Sequence, residues 1–87
     1  MKLILAVVRD TDETPVLNKL VEKGYRVTRM ASTGGFFRKG NVTLLIGVDE
    51  EQVQPVFDLM REAAGPPEPS QHRATLFVLN TQHFEQI

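Results

Sequence analysis

Leu3-Ile4-Leu5-Ala6-Val7-Val8 is a continuous apolar run at the start of the chain. Its richness in Val, Ile and Leu suits a central strand covered on both faces. Asn41 to Val48 repeats the pattern and reads as a second strand of the same kind. The segments between and after these two runs set the topology.

Directly after the first run, Asp10-Thr11-Asp12 supplies turn and N-cap chemistry, because a short side-chain oxygen can accept from free backbone N–H groups. Pro15 fits a first helical turn. Val16, Leu17, Leu20 and Val21 then form one helical stripe, and Gly24 stands where a helix ends in positive φ. Tyr25 to Ala31 reads as a strand with Arg26 and Thr28 on one face and Arg29 on the other, and Ser32 to Gly40 as a glycine-punctuated connection. After the second apolar run, Asp49-Glu50-Glu51-Gln52 has the form of a capping box. It leads into Val53, Val56, Phe57 and Met60 at helical spacing. Pro55 conflicts with a helix beginning at that cap, so the helix begins later or is distorted there. Gly65-Pro66-Pro67-Glu68-Pro69-Ser70 is a break that reads as a short rigid loop. Arg73 to Leu79 is the last strand, and Thr81 to Ile87 a short terminal turn.

The order β-α-β-β-α-β predicts an α+β, ferredoxin-like fold over residues 1–87 as a single domain. It has a four-stranded antiparallel sheet with both helices on one face. Such an arrangement leaves the second face of two apolar strands uncovered, with Leu3, Leu5, Val7 and Leu45 on it or on its opposite. Large open apolar faces are rare on monomers, so the sequence predicts a homo-oligomer packed through its sheets.

Composition narrows the function. An 87-residue chain buries only about 60–65% of the surface it exposes when unfolded, a marginal core that association would help. Hydrophobic residues at 41% and charged residues at 24% are ordinary for a globular domain. A net charge of −1 argues against a nucleic-acid partner. The absence of cysteine excludes disulfides and thiolate metal sites. No run approaches the roughly 20 apolar residues a membrane span needs. The first run stops at Arg9-Asp10 with no signal-peptide cleavage pattern after it, so the expected location is cytoplasmic. His72 and His83 have no ligand-spaced partner, and no metal or cofactor is expected.

The densest set of ligand-binding features runs from Thr28 to Asn41. Gly34-Gly35 opens backbone conformations closed to other residues and can present N–H groups to an anion. Arg38 and Lys39 add positive charge. Phe36 or Phe37 offers a stacking surface, and Asn41 pairs a donor with an acceptor in the geometry that reads adenine. The plain alternative is a Gly-Gly strand connection with a solvated Arg-Lys tip. The loop is not a Walker A motif: Gly35 and Gly40 are correctly separated, but Asn41-Val42 replaces the required Lys and Ser or Thr. Nucleoside-triphosphate hydrolysis is therefore unsupported, and no catalytic residue is assigned.

Several blocks together resemble the cyclic-di-AMP receptor family of PII-like bacterial signalling proteins. They are Met1-Lys2-Leu3-Ile4, Tyr25-Arg26-Val27-Thr28, Thr33-Gly34-Gly35-Phe36-Phe37-Arg38-Lys39-Gly40-Asn41, Ile46-Gly47-Val48, Ala74-Thr75-Leu76-Phe77-Val78-Leu79 and Phe84-Glu85-Gln86. The resemblance implies a PII-like homotrimer with cyclic di-AMP held in clefts between subunits. Arg26, Val27 and Thr28 would line one side. Gly35, Phe36 and Phe37 would pack on the ligand, Asn41 would read an adenine, and Gly47 would allow close approach. Phe77 and Gln86 would join from the far end of the chain. The chain departs from the family slightly at Gly24, where relatives often carry a polar side chain, and largely in one other place. Members with this ligand carry a long loop before the last strand, associated with ligand-dependent change and protein partners, where this chain has only Gly65 to His72. A trimer without ligand, acting structurally or on an unknown protein target, is the alternative. An acylphosphatase-like enzyme on the same fold is the remaining one, although only Arg9-Asp10-Thr11 stands at the early strand–loop–helix position it needs.

Overall fold

A computed structural model of the chain describes residues 1–30, 40–69 and 72–87. Its strands are β1 (Lys2–Arg9), β2 (Arg26–Met30), β3 (Asn41–Val48) and β4 (Ala74–Asn80), and its helices are α1 (Glu13–Glu22) and α2 (Val53–Ala63). Every neighbouring pair of strands is antiparallel and the sheet order is β2-β3-β1-β4. This is the ferredoxin-like α+β arrangement, with the two apolar strands in the centre as the sequence predicts.

Register separates the two faces of the sheet. Ile4 stands opposite Ile46 and Val78, and Ala6 opposite Leu44 and Leu76. Ile4, Ala6, Leu44 and Ile46, with Leu76 packed on them, meet Val16 and Leu20 of α1 and Val56 and Met60 of α2 in one core, while Val78 on the edge strand stays 42% exposed. A strand alternates its side chains, so the intervening residues must face away from the helices. Three rows cross that open face: Arg26-Gly47-Leu3-Leu79, Thr28-Leu45-Leu5-Phe77 and Met30-Thr43-Val7-Thr75. Phe77 and Leu79 remain 53% and 48% exposed.

Local signals mostly act as read, with informative exceptions. Gly24 ends α1 with φ +84. Val16 and Leu20 are buried, but Val21 at the end of the stripe is exposed. The Asp49 N–H donates to Gln52 Oε1 at 2.8 Å, one arm of the capping box. That box opens a 3-10 turn over Glu50–Gln52, and the α-helix starts only at Val53. Pro55 thus falls in the first α-helical turn, where its missing N–H leaves no intrahelical bond unmade. Asp12 does not cap α1 through its side chain. A buried cation three residues back holds the carboxylate instead: Arg9 Nε donates to Asp12 Oδ2 at 2.7 Å. Asp12 Oδ1 accepts from the Gly65 N–H at 3.0 Å, and Arg9 Nη1 donates to the Pro66 carbonyl at 2.9 Å. This network ties the connection after α2 to the end of β1. The last strand lies one residue later than the sequence suggests, and Thr81 to Ile87 forms no helical turn.

Candidate functional site

β2 pairs with β3 so that Arg26 lies beside Gly47. Gly47 has no side chain, so a gap opens on the open face between Arg26 and Leu3. A Cβ built on Gly47 would meet no atom within 4 Å. The gap widens into a cleft of about 300 Å³, walled by Arg26 and Thr28 of β2, Leu45 of β3 and Leu3 of β1. Met1, Lys2, Thr81, Phe84 and Gln86 complete it. The Thr81 N–H donates to the Met1 carbonyl at 3.1 Å, carrying the β1–β4 pairing one residue past β4. Arg26 Nη1 reaches Gln86 Oε1 at 3.5 Å, and Lys2 Nζ donates to Asn80 Oδ1. One end of the cleft therefore offers an exposed guanidinium, a hydroxyl and a carboxamide over an apolar floor. That chemistry suits a polar, anionic ligand with a flat apolar part.

The structure brings four of the sequence-predicted residues together here: Arg26, Thr28, Gly47 and Gln86. Val27 belongs to the opposite face, paired with Ile46 and packed on the core. It does not line the cleft. Asn41 begins β3, opposite Arg9, six residues from Gly47 and so about 20 Å along the strand. A ligand touching both on one chain must run the length of β3. Phe77 shares the open face but lies two strands from Leu45, about 10 Å to the side. Gly35, Phe36 and Phe37 lie outside the described residues.

Phe84 and Lys2 line the cleft without having been singled out as site residues. Expecting Thr81 to Ile87 to be a short terminal turn is a local reading that says nothing of the path of Phe84 across the sheet. Arg9, the cation at the position an acylphosphatase-like site requires, is only 6% exposed and committed to Asp12 and Pro66. A guanidinium so held is not available to grip a phosphate. Among the described residues, no helix is long and apolar enough to cross a membrane.

The fold and cleft define a small ferredoxin-like α+β protein with a ligand-sized hollow on the open face of its sheet. The chain belongs to the cyclic-di-AMP receptor family, which matches residues 1–69. The match takes in β1 to α2 and ends in the connection after α2, short of β4 and the tail. The chain also resembles the crystal structure of a functionally unknown protein from Pediococcus pentosaceus ATCC 25745. The two are 30% identical with a TM-score of 0.77, over 99% of this chain and 96% of the other.

Proposed function

We propose that this protein is a non-enzymatic, PII-like signalling protein of the cytoplasm. It binds cyclic di-AMP, or a related adenine nucleotide, at the subunit boundaries of a homotrimer. The observation that carries the reading is the convergence of Arg26, Thr28, Gly47 and Gln86 on one cleft in a member of a receptor family. Arg26 takes the charged part of the ligand, Thr28 and Gln86 supply directional hydrogen bonds, and Gly47 lets the ligand approach the sheet. Val27 contributes backbone, Asn41 reads an adenine edge, and Phe77 closes the pocket from the open face of β4. For Gly35, Phe36 and Phe37 the support is the sequence alone.

Titration calorimetry with cyclic di-AMP, ATP and AMP tests the reading. Saturable heat with at least one of them is expected, and Arg26→Ala and Asn41→Ala should each weaken it. No heat and no thermal shift with any of the three removes it. One observation favours the second reading, a ligand-free trimer that acts on a protein target. The connection from α2 to β4 is short, and the Arg9–Asp12 network fastens its start. That leaves little chain there to respond to a ligand.

A further inference from the structure

The C-terminal tail crosses the sheet. It leaves β4 at one edge, where Thr81 is bonded to Met1, and by Gln86 it has reached Arg26 of β2, the strand at the other edge. Three strand spacings separate those edges, about 14 Å. The five residue steps from Thr81 to Gln86 span at most about 17 Å when extended. The contact with β2 is made by the Arg26 and Gln86 side chains, so the tail lies across the end of the open face as a strap.

Phe84 is carried on that strap. Its ring lines the cleft and yet stays 54% exposed. Its neighbours His83 and Glu85 are turned to solvent, 3.8 Å from one another, and Ile87 at the end of the tail lies outside the cleft. The cleft thus holds an aromatic ring with free surface, while Arg26 and Thr28 form the wall on β2 and Gly47 leaves the floor open. We infer that Phe84 is a stacking surface of the site, receiving a planar heteroaromatic base whose attached anionic group is met by Arg26. The inference rests on the proposed function and adds to it a residue role and a location, on the tail of the subunit that also supplies Arg26.

The chain contains no tryptophan, so Phe84→Trp installs a single fluorophore at the position in question. Titration of this variant with cyclic di-AMP and with AMP should quench its emission, and the quenching should saturate together with the calorimetric isotherm. Phe84→Ala should lower affinity about five- to a hundredfold, the range for losing one base–aromatic stack. Phe84→Leu, which keeps apolar bulk but no ring, should fall with it. Solution mass is measured for every variant. The stacking role is overturned if the wild type binds and Phe84→Leu binds equally well. It is overturned if Phe84→Trp binds with unchanged emission. It is also overturned if Phe84→Ala loses affinity only by dissociating the oligomer and Phe84→Leu restores both. A wild type that binds none of the nucleotides removes the proposed function and this inference together.

Discussion

Arg9 and Asp12 form a buried ion pair at 2.7 Å, with side chains 7% and 6% exposed. Such a pair gains from Coulomb attraction only against a large desolvation cost. Its worth here lies in the two backbone groups it also satisfies, the Gly65 N–H and the Pro66 carbonyl. Removing one partner leaves the other charge buried and unpaired. Arg9→Met is therefore expected to cost about 3–5 kcal/mol, measured by urea denaturation. Gly65→Ala acts on the same network by crowding, since its Cβ would fall 3.0 Å from Asp12 Oδ1 and 3.4 Å from Arg9 Nη2. Thr43 is the contrasting case. Its hydroxyl is buried and has no hydrogen-bond partner among the described residues. Thr43→Val keeps the shape and removes the unmet polar group, so stability should hold or rise by about 1 kcal/mol.

At the scale of elements, two glycines do opposite things. Gly24 closes α1 with φ +84, a conformation that costs a residue with a Cβ about 1–2 kcal/mol. Gly24→Ala should lower the melting temperature. Gly47 lies inside β3, has no positive φ and has free space where a Cβ would go. Glycine weakens a strand interior by about 0.5–1 kcal/mol relative to alanine. Gly47→Ala should therefore raise the melting temperature while weakening nucleotide binding, because the added methyl fills the floor of the cleft. Binding that survives Gly47→Ala at full strength would show that the ligand does not approach the sheet there.

Among the described residues, helices cover the whole molecule's sheet on one side only. Leu3, Leu5 and Val7 form a half-buried apolar band on the other side, and Phe77 and Leu79 extend it to the β4 edge. A face of this kind is what an oligomer of a small subunit buries. Sedimentation of the wild type at micromolar concentration should give three times the subunit mass. Phe77→Lys places a charge on the apolar face at its β4 edge and should shift that mass to the monomer with the circular dichroism of the fold retained. A wild-type monomer under these conditions overturns the trimer.

The sequence alone determined the parts that depend on neighbours along the chain. Two unbroken apolar runs marked the central strands, residue alternation put Arg26 and Thr28 on one face, and Gly24 marked a helix end. Each follows from the geometry of a few consecutive residues. The folded sheet shows Val27 on the helix side; its place in the expected site came from family resemblance, which does not distinguish side chain from backbone. Tertiary structure alone decided the rest. Asp12 looked like a helix cap because its best partners, a buried guanidinium and an amide of the connection after α2, meet it only after folding. Arg26, Gly47 and Gln86 form one cleft because β2 and β3 pair in a single register and the tail crosses the sheet, bringing together groups separated by 60 positions. Phe84 became a site residue for that reason: an aromatic side chain acquires a role in binding from what stands opposite it, which only the folded chain supplies.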